Sequence, residues 1–303
     1  MSTSSPPQSV RALVRARRRA AAARFWRQFR AHRAGLVGVG VLAAVAVLTL
    51  AAPLITDAEE LRAATAPGGR LEPPGAEFLL GTDEVGRPIL TQLIWGARVS
   101  LTVGVTGAVL AVALGSAVGL AAGHFGGAAS WLLMRLTDWF IVLPGIVLAV
   151  ALVVALGPSM ATIVTAIALT SWASTARLIR AQTLAVEGRA YLERAKALGG
   201  GHWHQLSRHV LPNVTPLILA SATLQVSSAI LTEATLSFLG LGDPSRVSWG
   251  VMLNRAFEAG AISSGAWWYL LPPGAAILLV VLGFTLCGRA LEAVFNPRLR
   301  GGR

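Results

Sequence analysis

Residues 139–176 read WFIVLPGIVLAVALVVALGPSMATIVTAIALTSWASTA, a run of 38 residues without a charge. A membrane-spanning helix needs about 20 mostly apolar residues to cross a hydrocarbon core about 30 Å thick. A single helix over this run would measure roughly 57 Å at 1.5 Å per residue, about twice that thickness. The chain must therefore fold back on itself, and Gly157-Pro158-Ser159 in the middle is a turn signal. This run predicts two adjacent membrane spans.

The rest of the chain repeats the pattern, with uncharged runs of 23, 36, 24 and 30 residues after Arg33, Arg98, Arg208 and Glu258. The first run is longer than the apolar core of a signal peptide and follows a 33-residue arm, which favours an uncleaved helix. We expect an all-α, polytopic membrane protein with six transmembrane helices. They are predicted near 35–55, 97–122, 133–156, 160–179, 213–239 and 268–288.

Composition agrees with this class of protein. Hydrophobic residues make up 54% of the 303 residues and charged residues only 13%, whereas soluble domains carry about 25% charged residues. This balance argues against a soluble enzyme and against most nucleic-acid-binding proteins.

The net charge of +12 is unevenly distributed. Residues 1–33 hold nine arginines and no acid, whereas 57–96 holds seven acids and three arginines. The segment 177–212 is basic again, with six Lys or Arg against two acids. The positive-inside rule therefore predicts that both termini and 177–212 are cytoplasmic. Aromatic residues alternate with arginines over 24–30, which favours contact of this basic arm with anionic lipid over a nucleic-acid role.

The sequence lacks the residues that several common kinds of binding site require. The single lysine, Lys196, does not lie in a Gly-x4-Gly-Lys-Ser/Thr loop, so this chain has no Walker A site for ATP. The single cysteine, Cys287, forms no intramolecular disulfide. Three histidines (His202, His204 and His209) lie close in sequence, but no Cys, Asp or Glu completes a metal-ligand set. We expect no metal and no cofactor on this chain.

The segment 181–213 is too polar to cross a membrane. Residues 187–198 favour a helix, and the glycines 199–201 favour its end. A second short element, 202–210, leads to Leu211-Pro212, where the proline predicts the start of the next helix. The pattern alone fits equally a rigid protrusion that transmits force from another subunit and an ordinary solvated loop.

Specific residues of this segment resemble the EAA loop of ABC-importer permeases. They are Glu193, Ala195 and Gly199, followed by Leu211 and Pro212. Three further stretches resemble the dipeptide/oligopeptide/nickel branch of that family, the first of them its C-type subunit: Phe25-Trp26-Arg27, LGTDEVGR at 80–87, and the run from Glu233 to Gly242. The sequence departs from the family pattern at Arg194, which replaces the second alanine of the EAA triplet, and at Pro88, where an aspartate is common.

The resemblance implies a MetI-like ABC permease fold in the cytoplasmic (inner) membrane. Residues 24–76 would form an amino-terminal segment with the first helix, and 96–303 a five-helix permease domain containing the coupling loop 187–212. It also implies a second homologous permease, two ABC ATPase subunits that carry ATP and Mg²⁺, and an extracytoplasmic solute-binding protein. The chain itself would not be an enzyme.

The implied function is ATP-driven import of di- or oligopeptides by alternating access. Nickel or another small solute of the same branch is an alternative. A rival outside the family is an ion-coupled secondary transporter that uses Glu233, since acids inside a membrane usually face a cavity or a partner.

Small residues recur every four positions in the second predicted helix, and such rows permit close helix packing. The rows are Gly96, Ser100, Gly104 and Ala108, then Gly115, Gly119 and Gly123. Glu233, Gly104, Gly115 and Gly119 are the candidates for the translocation path or for an interface between permeases.

Overall fold

The structure is a computed structural model that describes residues 19–20 and 23–295, and these residues form helices and loops without a named strand. The helices are α1 (Arg33–Ile55), α2 (Ile89–Phe125), α3 (Gly127–Val142), α4 (Gly145–Leu156), α5 (Met160–Glu187), α6 (Ala190–Ala197), α7 (His202–Gln205), α8 (Leu211–Leu236), α9 (Trp249–Glu258) and α10 (Trp267–Phe295). Most of the predicted basic arm, residues 1–33, lies outside the described residues. The all-α prediction is confirmed.

Five helical stretches are long and apolar enough to cross a membrane: α1, α2, α5, the continuous stretch His202–Leu241, and α10. The pair α3–α4 supplies a sixth candidate if it is counted as one span. The spans therefore follow the predicted positions, although α2 begins eight residues before the predicted residue 97.

The third span differs from the single helix predicted near 133–156. The chain bends by 89° between α3 and α4. Leu143 has an extended backbone (φ −70°, ψ 131°) and precedes Pro144. Proline disfavours the helical conformation of the residue before it, so the helix ends there and starts again at Gly145. Leu143-Pro144-Gly145 carried this signal in the sequence.

Helices α2 and α5 pack closely along their length because α2 presents glycines to α5. A methyl group on Gly115 would lie 2.5 Å from the Trp172 carbonyl oxygen, and one on Gly119 would lie 2.5 Å from that of Ala176. Gly104, nearer the start of α2, lies against Ile230 of α8. These three glycines contact helices of this chain, and any role of theirs in a path or a permease interface stays a prediction.

A compact cap, residues 68–88, covers the start of α2. Its centre is Asp83, which is fully buried. The Asp83 carboxylate accepts hydrogen bonds from the Arg87 guanidinium at 2.6 Å and from the Gln92 side-chain amide at 2.8 Å. Tyr269 of α10 donates its hydroxyl to Glu84 at 2.5 Å. The LGTDEVGR stretch thus forms a hydrogen-bonded turn attached to α10, at the opposite end of α2 from α6.

Candidate coupling site

Helix α6 is a short polar helix that connects two membrane spans. It runs for eight residues and carries Glu193 and Arg194, both exposed. Ala195 is half-buried on the same helix. The observed bounds lie inside the predicted helix 187–198, because the chain is extended at Arg189 and the helix starts one residue later.

One apolar side chain anchors α6 to the spans. Leu192 is fully buried in a cluster with Ile179 and Val186 of α5, with Val210 just before α8, and with Val214 of α8. Burying a leucine side chain stabilises a structure by about 1.5–3 kcal/mol. This cluster therefore attaches α6 to the ends of both spans.

Gly199 turns the chain at the end of α6. Its φ is +81°, a conformation that glycine adopts without the strain of other residues. The Gly199 N–H donates to the Lys196 carbonyl at 3.0 Å, and the Gly200 N–H donates to that of Ala195 at 2.9 Å. The predicted end of the helix at these glycines is confirmed.

Leu211 and Pro212 are the first residues of α8, as predicted, but no break separates α8 from the helix before it. The helix is continuous from His202 to Leu241, and a wide π turn at Leu206–Val210 joins its parts. The Leu211 N–H donates to Leu206, five residues back. Proline has no N–H for the usual bond, and the helix passes Pro212 beside this wide turn instead of ending there. Both side chains are exposed.

Four side chains, which we call the polar clamp, connect α6 to the ends of α2, α5 and α7. Lys196 of α6 donates to Glu187 at 2.9 Å, and His124 of α2 contacts the other oxygen of Glu187 at 2.5 Å. The second ring nitrogen of His124 lies 3.0 Å from His202 of α7. Sequence reasoning missed this cluster, because its members come from four separate segments.

Large apolar side chains are exposed on and next to α6, although the segment is polar overall. Leu198 is 89% exposed and Trp203 is 81% exposed. Two large exposed apolar side chains in a polar segment are candidates for contact with a partner. Leu198 and Trp203 stand out from the polar residues around them, which is the signal that sequence analysis did not use.

Glu233 lies far from α6, in α8 near the α2 cap, and is 2% exposed. It accepts hydrogen bonds from Ser100 of α2 at 3.0 Å and from Ser237 at 2.8 Å. The space beside it measures about 10 Å³, about the volume needed for one water molecule. In this structure Glu233 connects α8 to α2, and its role in transport stays a prediction.

The histidines near α6 do not form a metal site in the part of the chain that the structure describes. No group of three or more His, Cys, Asp or Glu side chains there is arranged to hold a metal ion. His204 instead packs edge-on against His209, and His202 belongs to the polar clamp.

A bundle of apolar spans with one short polar helix between two of them is the architecture of a polytopic membrane protein. Residues 115–301 match the family model of the binding-protein-dependent transport system inner membrane component. Residues 22–74 match the N-terminal transmembrane domain of oligopeptide transport permease C. The chain belongs to the family of binding-protein-dependent transport system inner membrane components, and the predicted family and membrane location are confirmed.

Relatives from several bacteria are similar over nearly the whole chain. A putative peptide transport system permease protein of Brucella abortus is 37% identical over 275 residues, which cover 90% of this chain and 91% of the relative. A di/tripeptide transport system permease protein of Pseudomonas aeruginosa is 38% identical, with 91% and 92% covered. A glutathione transport system permease protein of Pectobacterium atrosepticum is 36% identical, with 91% of both chains covered.

Proposed function

We propose that this chain is the permease subunit of an ATP-driven importer that moves di- or oligopeptides across the cytoplasmic membrane by alternating access. The observation that carries this proposal is α6, a short exposed helix whose Leu192 anchors it to two spans. The peptide class rests on the names of the relatives, which are peptide, di/tripeptide and glutathione transport permeases.

The proposed complex has four kinds of partner. Two ABC ATPase subunits bind ATP with Mg²⁺, a second homologous permease completes the path, an extracytoplasmic binding protein delivers the solute, and membrane lipid surrounds the spans. The basic segments support a cytoplasmic location of both termini and of α6 in this proposal. The two family matches, at 22–74 and 115–301, support a division into an amino-terminal segment, 24–76, and a permease domain, 96–303.

In this proposal α6 is the element that the ATPase moves. Leu198 and Trp203 provide apolar contacts for it, and Glu193 provides an exposed charge beside them. Leu192 and the polar clamp then transfer the movement to α2, α5 and α8. Gly199 sets the angle between α6 and the helix that follows.

A reconstituted complex tests this function. With ATP and the binding protein present, proteoliposomes should accumulate dialanine, and vesicles holding this chain alone should not. Uptake by the chain alone under a proton gradient would instead support the ion-coupled rival that uses Glu233.

The role of α6 is tested by Glu193→Gln, with Glu77→Gln as the matched control. Both glutamates are exposed, so both variants should change stability by less than about 0.5 kcal/mol. Only Glu193→Gln should lower the dialanine-stimulated ATP hydrolysis of the complex, by about tenfold if a charged contact of about 1.4 kcal/mol is lost. Equal activity of the two variants would contradict the role of Glu193 in docking.

A further inference from the structure

A cavity of about 500 Å³ opens between the start of α2, the loop after α1 and the loop before α9. Its lining is basic and contains no acidic residue. Five arginines line it: Arg62, Arg87, Arg98, Arg246 and Arg255. We call this space the arginine cavity. It lies beside the α2 cap, on the side of the bundle that the charge pattern predicts to be extracytoplasmic.

Three of these arginines have carboxylate partners, which differ in distance and in exposure to solvent. Arg87 binds Asp83 at 2.6 Å and Glu84 at 3.4 Å, and its side chain is 9% exposed. Arg62 pairs with Glu59 at 2.7 Å, but both side chains are more than half exposed. Arg246 lies 4.0 Å from Asp243, a distance too long for a hydrogen bond. These partners neutralise the charge only in part.

Arg98 and Arg255 have no carboxylate within 4.0 Å in the described part of the chain. Arg98 donates its Nε–H to the Thr49 carbonyl at 3.2 Å and stacks over the Trp95 ring at 4.6 Å. The Nη1 atom of Arg255 is buried and has no hydrogen-bond partner among those residues. Burial and the neighbouring charge of Arg87 lower the pKa of the Arg255 guanidinium, and the more distant charges of Glu84 and Asp83 offset this only in part. The side chain still stays charged at neutral pH, so an anion in the cavity would relieve an unfavourable charge distribution.

The size and chemistry of the cavity restrict the anion. A volume of about 500 Å³ falls within the range of small-molecule sites. Guanidinium groups bind carboxylates through paired hydrogen bonds. The apolar side chains Leu61, Val99 and Val247 provide contacts for a side chain next to that carboxylate. Because the lining has no acid, it offers no ionic partner for an amino group.

We propose that the arginine cavity binds the carboxyl end of a short peptide before the peptide enters the translocation path, an inference that rests on the proposed peptide function. The amino end of the peptide points away from the cavity. Arg98 and Arg255 are the principal charges, and Arg246 at the mouth assists them.

Uptake of dialanine and of its carboxy-terminal amide by the complete complex in proteoliposomes tests this assignment. Arg255→Gln should lower dialanine uptake by about tenfold, the loss of one charge-assisted contact, and amide uptake by less than about twofold. The binding protein is the same in all samples, so its own preference cancels in the ratio of variant to wild type. Arg70→Gln, an exposed arginine outside the cavity lining, is the control and should leave both rates unchanged.

Further measurements keep the test decisive. If the Arg255 variant fails to assemble, Arg246→Gln, at a side chain that is 57% exposed, should show the same preference with a smaller loss. If the wild-type complex excludes the amide, calorimetric binding of N-acetyl-dialanine to the complex without binding protein replaces uptake. The wild type should then bind this probe more tightly than Arg246→Gln does.

The outcomes separate the two proposals. A wild-type complex that does not take up dialanine overturns the proposed function. The carboxylate site alone is overturned if the wild type takes up dialanine and the variants lower the uptake of both substrates equally, or the uptake of neither. If the variants co-purify with less phospholipid and lose uptake of both substrates equally, the cavity binds a lipid headgroup. That result would also overturn this inference.

Discussion

The two ends of α2 are built differently. At the start of the helix, the α2 cap has a buried carboxylate, Asp83, with four hydrogen bonds to surrounding donors. At the other end, α6 is held by one buried leucine and by ion pairs of the polar clamp, and most of its residues are exposed. A densely hydrogen-bonded end resists local opening, whereas an end with few buried contacts opens at lower free energy. The contrast fits a rigid cap and a helix α6 that can move relative to the spans.

The largest effect on stability is expected from Asp83→Ala in the cap. The substitution removes a buried partner and leaves the Arg87 guanidinium and the Gln92 amide without their acceptor. Breaking a buried ion pair in this way costs about 3–5 kcal/mol. Thermal unfolding in detergent should show the loss, and Glu77→Ala, at an exposed position on the same side, should not. If Asp83→Ala left the unfolding temperature unchanged, the proposed difference in rigidity between the two ends of α2 would be contradicted.

A smaller effect on global stability is expected from Leu192→Ala. Leucine-to-alanine substitutions in a core cost about 2–5 kcal/mol, but here the loss is limited by the free energy of opening α6 alone. Hydrogen exchange of residues 190–197 should therefore accelerate, with little change in the unfolding temperature.

Leu198→Ala is the matched control for Leu192→Ala, because Leu198 is 89% exposed. It should leave hydrogen exchange unchanged while weakening ATPase coupling. If Leu192→Ala lowered the global stability as much as Asp83→Ala does, α6 would not open independently of the bundle, and the proposed mobility of α6 would be contradicted.

The smallest effect on stability is expected from two matched glycine substitutions. Gly199, after α6, and Gly260, after α9, both have positive φ and both have open space where a methyl group would lie. Alanine at either position should therefore cost only backbone strain, about 1–2 kcal/mol.

The two glycine variants should differ in function. Gly199→Ala should lower stimulated ATP hydrolysis, because it changes the angle after α6, and Gly260→Ala should leave it unchanged. Parallel assays of unfolding temperature and ATP hydrolysis check this pair. Identical coupling in both variants would show that the turn at Gly199 does not transmit movement.

Local sequence signals predicted much of the fold. The membrane imposes a minimum run of apolar residues, so five spans lie where hydropathy placed them. The break at Pro144 was equally local and was missed, since the apolar run continued through it. Pro212 lies at the start of α8, as predicted, but the wide turn at Leu206–Val210 joins α8 to the preceding helix without a break.

The candidate site was predicted in part. The resemblance of the loop predicted a role for Glu193 and Gly199, which stays a prediction, and the turn at Gly199 follows from glycine itself. The polar clamp and the arginine cavity were not found, because their residues are scattered along the chain.

The sequence by itself determined the spans, the charged segments between them and the position of the short polar helix α6, because lipid thickness and backbone conformation act on neighbouring residues. Only the tertiary structure decided which polar groups meet. His124 reaches Glu187 across 63 residues, and Ser100 reaches Glu233 across 133. Such contacts depend on how α2 packs against α5 and α8, and close packing of distant helices leaves no periodic signal in the chain.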